Sequence, residues 1–294
     1  HKILLAIDSS EHAYAATKLL KNLKLPQKSE IMAMAVLIPR NASQHAALKS
    51  AIAQAEDILA SENVTVTTKL VSGYPSDELI EFAKEYLPDL IVLGAKGLRA
   101  TLGIFLGGVA QHIVEYSNCP VLIVRKGHIG LKNILFCVDG SQSSHVAEEY
   151  LTSFAVPEGA VIHVMNVIPP IVSEDMLLQT WPVGMEMVPV IPTEELTESL
   201  EKQAEEEKKK GIEIVDEFTK KLKNAGYKCE SVLKKGDAAT EIISYAKENQ
   251  IDTIVVGSRG LSRLRGWLLG SVSRKIVHYA HCSVLVVKTS ETAK

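Results

Sequence analysis

The chain repeats itself, and that bounds its architecture before any single residue is weighed. The opening run Ile3 to Ile7, followed by Asp8-Ser9-Ser10, returns in the second half as Ile134 to Val138 followed by Asp139-Gly140-Ser141. Ile38-Pro39 returns at almost the same offset as Ile168-Pro169. Gly73, Leu90 to Gly94 and Cys119 to Val124 return at a larger offset as Gly236, Thr253 to Gly257 and Cys282 to Val287. The growth of the offset places an insertion in the second half, at about 170–210, between Pro169 and the helical pattern around Gly211. A chain of 294 residues is also the length of about two ordinary domains, each able to bury its own core. The expected domains are 1–127 and 131–294, divided in Lys126 to Lys132, where Gly127 and Gly130 separate two apolar strands.

Within each half, short β-branched runs bounded by turn residues alternate with longer segments of helical period. Ile91 to Leu93 and Ile254 to Val256 show no polar alternation, the pattern of strands covered on both faces and hence of parallel sheet. Between such runs, Ala46 to Leu59, Ser76 to Tyr86, Ile212 to Leu222 and Ala239 to Lys247 carry apolar residues three and four apart. Each half therefore reads β-α-β-α-β-α-β, or one strand more: an α/β fold with a doubly wound parallel sheet and crossover helices. Such sheets bind ligands beyond the carboxyl ends of their strands, where the strand order reverses.

The residues after the fourth strand are where chemistry is expected. Thr253 to Val256 runs into Gly257-Ser258-Arg259-Gly260, then nine residues, then Gly270-Ser271-Val272-Ser273 opening a helical segment. Glycine lets backbone approach a ligand closely, and the free N–H groups of a helix start attract anions, so this segment can cradle a phosphate chain. A lone Gly-x-x-Gly would be read as a turn, but two glycine pairs at fixed spacing between a strand and a helix point to a ligand. Asp139, which ends the first strand of this half, suits a ribose hydroxyl as acceptor, and Ser271 and Ser273 can donate to phosphate oxygens. The alternative for Asp139 is to cap the helix that follows Asp139-Gly140-Ser141.

Gly-x2-Gly-x9-Gly-(Ser/Thr), together with a first-strand Asp, resembles the nucleotide-binding signature of the universal stress protein family, and the resemblance covers both halves apart from the insertion. It implies a tandem of two Rossmann-like, adenine nucleotide alpha-hydrolase-like domains. The implied ligand is ATP, or AMP or ADP, with or without Mg²⁺, and the implied role is in stress response or regulation without rapid turnover. Carried over onto matching positions, the resemblance implies adenosine contacts at Val138, Asp139 and Val167. It implies a path along ribose and phosphates at Val256, Gly257, Arg259 and Gly260, and closure on the phosphates by Gly270, Ser271, Val272 and Ser273. The terminal strands Val121 to Arg125 and Val284 to Lys288 would each leave a bare apolar edge alone, so the resemblance also implies an intramolecular pseudo-dimer of the two halves. A homodimer of whole chains stays open.

The first half keeps the glycines and the acid as Asp8, Gly94, Gly97 and Gly107, which would form a weaker second site. There Gly108 stands for Ser271 and Ala110 for Ser273, so two hydroxyl donors are missing. Lys96 either supplies compensating charge or is a solvated surface lysine. The insertion departs from the repeat altogether. Its first part, Pro170 to Pro192, mixes Met176, Leu177, Leu178, Trp181, Met185 and Met187 with four prolines, which predicts an ordered loop that packs on its own domain or serves as a lid or partner surface. Its second part, Thr193 to Lys210, carries Glu194 and Glu195 near a helix start and Lys208 to Lys210 near an end, as the helix dipole prefers.

Composition excludes several classes. Lys and Arg total 32 against 35 Asp and Glu, a net charge of −3 that provides no basic field for nucleic acid. No apolar run approaches the roughly 18 residues of a membrane span. The chain opens directly on Ile3 to Ile7, and the expected location is the cytoplasm. Cys119, Cys137, Cys229 and Cys282 form no Cys-x-x-Cys pair and read as buried, reduced thiols, while His278, His281 and Cys282 lack a fourth metal ligand. Neither Gly-x4-Gly-Lys-(Ser/Thr) nor any visible nucleophile-activating pair is present, so no catalytic residue is assigned. Slow ATP hydrolysis, and a scaffold with a degenerate pocket, remain as alternatives.

Overall fold

The computed structural model describes residues 1–39, 44–97, 105–127, 130–153, 156–170, 194–261 and 269–288. The Met- and Trp-bearing loop expected over Pro170 to Pro192 lies, after Pro170, outside the described residues. In the first half the chain runs β1 (Lys2–Ile7), α1 (Glu11–Asn22), β2 (Ser29–Leu37), α2 (His45–Leu59), β3 (Val64–Ser72), α3 (Pro75–Tyr86), β4 (Leu90–Gly94), α4 (Gly108–Tyr116) and β5 (Val121–Val124). The second half repeats this as β6 (Asn133–Cys137), α5 (Gln142–Ser153), β7 (Val161–Ile168), α6 (Glu194–Asn224), β8 (Lys228–Lys235), α7 (Ala238–Glu248), β9 (Thr253–Gly257), α8 (Ser271–Tyr279) and β10 (Ser283–Val287).

The described strands all join one sheet in the order β3-β2-β1-β4-β5-β10-β9-β6-β7-β8. Every neighbouring pair is parallel except the central one, where β5 and β10 run antiparallel with Leu122 opposite Leu285. The burial pattern follows position in the sheet. Strands near the middle are buried and largely apolar because helices cover both faces, as in the fully buried β5 and β10. The outermost strands, β3 and β8, expose about every other residue. Helices α1, α2, α5 and α6 pack on one face through Leu19, Leu48, Ala147 and Phe218. Helices α3, α4, α7 and α8 pack on the other through Leu79, Ile113, Ile242 and Ile276. Each face carries one continuous apolar cluster that spans both halves.

The ladder register refines the repeat. Ala6 pairs with Met34 and Cys137 with Met165, so β2 and β7 correspond at the same offset as β1 and β6, and the structure matches Ile168, which accepts from the Gly236 N–H, with Leu37, which accepts from the Gly73 N–H, instead of with Ile38. The insertion needs a larger correction. The helix expected to end near Lys208 to Lys210 instead continues as α6 from Glu194 to Asn224, with those lysines in its interior. Gly211, which reads as a boundary, lies inside this helix because a Cβ there would come within 2.8 Å of both Ile168 and Leu233. Close approach to β7 and β8 requires glycine at that point, and packing outweighs the roughly 1 kcal/mol that glycine costs a helix.

Further along α6, Phe218 is fully buried, edge-on to Phe136 at 5.8 Å between ring centroids and stacked on His145 at 4.8 Å. This aromatic group locks α6 to the sheet and to α5. Phe218→Ala is expected to cost the second half about 3–5 kcal/mol, read as a shift in its denaturant midpoint with an unchanged slope.

Candidate functional site

In each half the first strand lies between the second and the fourth, so the strand order reverses there and a crevice opens at the carboxyl ends. Both crevices are real cavities. The second-half one, of about 240 Å³, is lined by Cys137, Val138, Asp139, Ser144, Met165, Asn166, Val167, Ile242, Val256, Gly257, Arg259, Gly260, Gly270, Ser271, Val272 and Ser273 among others. Every residue expected from the sequence in this half therefore meets the rest around one cavity.

Asp139 organises its mouth. Its Oδ1 accepts from the Ser141 backbone N–H at 3.0 Å and from the Ser144 hydroxyl at 2.7 Å, while its own N–H donates to Ser144 Oγ at 3.0 Å. The helix entry thus falls on one oxygen, Oδ1. Oδ2 turns towards Gly260, where a Cβ would lie only 2.7 Å away. Gly257 is required for another reason: a Cβ there would sit 2.7 Å from Ser143 Cβ and 3.0 Å from its backbone, so β9 can pass the start of α5 only without a side chain.

Gly270 caps α8 with extended backbone, and its N–H donates to the Ser258 carbonyl at 2.9 Å, which folds the glycine segment back on itself. The first N–H groups of α8 have no partner within the helix and face the anion-attracting end of its dipole. Ser271 is exposed at this end with its hydroxyl available to a ligand. Ser273 is not equivalent. It is buried, and its hydroxyl donates to the Gly257 carbonyl at 2.8 Å, so the expected phosphate donor instead ties α8 to the end of β9.

Asn166 escaped the sequence reading. Buried on β7, its Nδ2 donates to the Val138 carbonyl at 2.7 Å and fixes the backbone beside Asp139. An asparagine inside a strand, Val161–Ile168, that is apolar apart from it and His163 was the available signal.

The first-half cavity, of about 280 Å³, is no smaller, and Asp8, Gly94, Gly97 and Gly107 all line it. Asp8 Oδ1 accepts from the Ser10 N–H at 2.9 Å, and a Cβ on Gly97 would lie 2.7 Å from Asp8 Oδ2, as at Gly260. The Gly107 N–H donates to the Ala95 carbonyl at 2.8 Å, matching Gly270. The side chains differ. Ala13 stands for Ser144, Gly108 for Ser271 and Ala110 for Ser273, Val36 keeps the valine of Val167, and Met34, Leu79, Leu93 and Leu106 complete an apolar wall. Lys96 lies with its Nζ 5.8 Å from the centre of the Phe105 ring.

Comparison with known proteins agrees with this double arrangement. The universal stress protein family matches residues 1–125 and again residues 130–288. The chain belongs to the universal stress protein family. A universal stress protein of Mycolicibacterium smegmatis is 24% identical over 308 residues, covering 97% of this chain and 96% of that protein. Universal stress protein YxiE of Bacillus subtilis is 31% identical over 155 residues, about half of this chain but 97% of its own length. The crystal structure of a universal stress protein from Archaeoglobus fulgidus shares the fold at a TM-score of 0.65 and 17% identity, covering 99% of this chain and 97% of that one. Members of this family thus match the chain both as one repeat and as the whole.

The cysteines are poor candidates for chemistry. Burial pushes the Cys119 and Cys282 thiols up to about 12, and it raises the thiol of Cys137, on the cavity wall, in the same direction. Each shift disfavours the thiolate needed for nucleophilic or metal chemistry. Among the described residues no group of three His, Cys, Asp or Glu side chains could hold a metal ion.

The two kinds of glycine separate in a stability experiment. Gly257→Ala must displace the first turn of α5 and is expected to cost about 1–3 kcal/mol. Gly108→Ala, whose Cβ would meet nothing within 4 Å, is expected to be neutral or to stabilise by up to about 1 kcal/mol. Denaturant unfolding of the two variants beside the parent measures the contrast.

Proposed function

We propose that the second-half cavity of this universal stress protein binds an adenine nucleotide, ATP foremost, and that the bound nucleotide serves a stress-response or regulatory role without rapid turnover. The observation that carries this reading is the pairing, across one cavity, of a carboxylate oriented by Ser144 with the open start of α8 bearing Ser271. A ribose needs an acceptor at one side and a phosphate chain needs N–H and hydroxyl donors at the other, and the cavity supplies both. In this reading Val138, Asp139 and Val167 hold the adenosine. Val256, Gly257, Arg259 and Gly260 line the ribose and phosphates, and Gly270, Ser271 and Val272 close on the phosphates. Ser273 supports them by fixing α8. Mg²⁺, where present, would be carried on the phosphates, since Asp139 is the sole carboxylate lining the cavity among the described residues.

Turnover stays slow because no described residue lining the cavity is left to act as a general base towards a phosphate-attacking water: in this reading Asp139, the sole carboxylate there, holds the helix entry with Oδ1 and the ribose with Oδ2. Arg259 can stabilise developing charge but cannot activate a nucleophile. Hydrolysis in the usual enzyme range of about 1 to 1000 per second would replace this reading with an enzymatic one.

The first-half cavity lacks one donor that would face a phosphate, the Ser271 hydroxyl, because the Ser273 hydroxyl is committed to Gly257 in any case. One hydrogen bond to a charged group contributes roughly 1.5–3 kcal/mol, or about tenfold to hundredfold in affinity. Calorimetric titration of the whole chain with ATP and Mg²⁺ is expected to show a stoichiometry near one. Gly260→Val should abolish the transition and Gly97→Val should leave it. The two substitutions meet an Asp carboxylate at the same 2.7 Å, so their steric costs are matched. Gly108→Ser, which restores the hydroxyl in open space, should raise first-half affinity about tenfold. Two equal sites in the parent would sink the assignment to the second half.

The β5–β10 ladder further supports a pseudo-dimer, in which the second half covers an apolar strand that would otherwise be an exposed edge. Residues 1–127 expressed alone should self-associate through β5. A monodisperse, stable monomer of that fragment at high concentration counts against the idea.

A further inference from the structure

The central ladder ends in a basic residue on each side, Arg125 after β5 and Lys288 after β10, at matched positions of the repeat. Neither side chain serves its own half alone. Arg125 is buried, and its Nη2 donates to the carbonyls of Val277 at 2.8 Å and His278 at 3.5 Å, in the last turn of α8 of the second half. Lys288 reaches the other way: its Nζ donates to the carbonyls of Val114 at 2.6 Å and Glu115 at 3.3 Å, in the last turn of α4 of the first half. Val114 and Glu115 are the repeat equivalents of Val277 and His278. Each of the two helices therefore begins at its own cavity and ends on a cation from the other half.

Such a contact is favourable because the last carbonyls of a helix lack intrahelical partners and carry the negative end of its dipole. Arg125 also has a second task. Its other fork nitrogen, Nη1, donates to the Phe105 carbonyl at 2.5 Å, two positions before Gly107 at the lip of the first-half cavity. The Phe105 ring in turn lies 6.3 Å from that of Tyr279, the last residue of α8. One guanidinium thus joins the end of the second-half phosphate helix to the glycine segment of the first half.

We propose that Arg125, although it belongs to the first half and hydrogen-bonds none of the described residues lining the second-half cavity, is a positioning residue for that cavity, holding α8 along its axis so that Ser271 and Val272 present their N–H groups at a fixed height. The inference rests on the nucleotide reading of that cavity, but its geometric core, crosswise anchoring of the two helices, does not. A helix as short as α8 moves as a rigid rod, so slack at its carboxyl end is transmitted to its start. Lys288 has the mirrored duty towards α4. Burial, with repulsion from Arg259 as a lesser cause, holds its ammonium down to about 8.

The test compares Arg125→Met, Arg125→Lys and Lys288→Met in the whole chain by two readouts. Amide hydrogen exchange of the nucleotide-free proteins is expected to rise in the last turn of α8 for Arg125→Met and in the last turn of α4 for Lys288→Met. Calorimetry with ATP and Mg²⁺ is expected to show affinity weakened roughly 3- to 30-fold by Arg125→Met and not weakened by Lys288→Met. Arg125→Lys, which keeps the charge but cannot span Val277 and Phe105 together, should fall between. A general loss of packing would loosen both helices in both variants, and that result would overturn the proposal, as would wild-type exchange and affinity in Arg125→Met. If the parent chain bound no nucleotide, the functional reading would fall while the exchange pattern still decided the crosswise anchoring.

Discussion

The antiparallel contact of β5 with β10 is the constraint on which the arrangement of everything else depends. Each half is parallel within itself, so this one reversal makes the strands of the two halves point in opposite directions. Their carboxyl ends, and with them the two cavities, open at opposite edges of the continuous sheet. A helix that starts at one cavity must therefore finish near the edge that holds the other. The crosswise cations follow from that geometry: the residue that leaves each central strand emerges beside the carboxyl end of the opposite half's last helix. Burying a guanidinium is costly unless acceptors compensate; the backbone carbonyls of Phe105, Val277 and His278 do so for the two Nη atoms of Arg125, while its Nε is buried with no hydrogen-bond partner.

Much of this was legible in the sequence because parallel sheets leave a strong imprint. A strand covered on both faces has little room for polar side chains, so Leu90 to Leu93 and Thr253 to Val256 stand out against their surroundings, and the repeat then fixes their partners. The Asp and the glycine spacing located both cavities for the same reason, that backbone contact closer than a methyl group allows only one residue type. What stayed hidden depends on long-range packing. Nothing local distinguishes Ser271, exposed at a helix start, from nearby Ser273, whose hydroxyl is taken by Gly257. The continuity of α6 through Gly211 is decided by Ile168 and Leu233, one before the insertion and one after the helix. Arg125 and Lys288 were visible as strand ends, but their acceptors lie 152 and 174 positions away in the chain.

A further point concerns what the glycines can be taken to mean. The glycines and the acid are kept in both halves, yet Gly94 and Gly257 are demanded by the first turns of α1 and α5, and Gly97 and Gly260 by the carboxylates of Asp8 and Asp139. These four contacts are internal to the fold. They would be required whether or not any ligand entered, and substitution at any of them would disturb packing first. The glycine pattern therefore reports the architecture of the crevice, and retention of it in the first half is no argument for occupancy there.

Discrimination between the halves must come from the atoms the fold does not need. Ser144 holds Asp139 by a 2.7 Å hydrogen bond, while Ala13 at the corresponding place has no hydroxyl to offer Asp8. Asn166 fixes the Val138 carbonyl, and its counterpart by ladder register is Ala35. Ser271 faces solvent at the start of α8, and Gly108, its counterpart, leaves open space. An exposed hydroxyl set at the positive end of a helix dipole, without a task in the packing around it, is explained by what binds beside it. That criterion favours the second half for the proposed nucleotide site, and in the proposed arrangement the first half supports it by keeping α8 in place through Arg125.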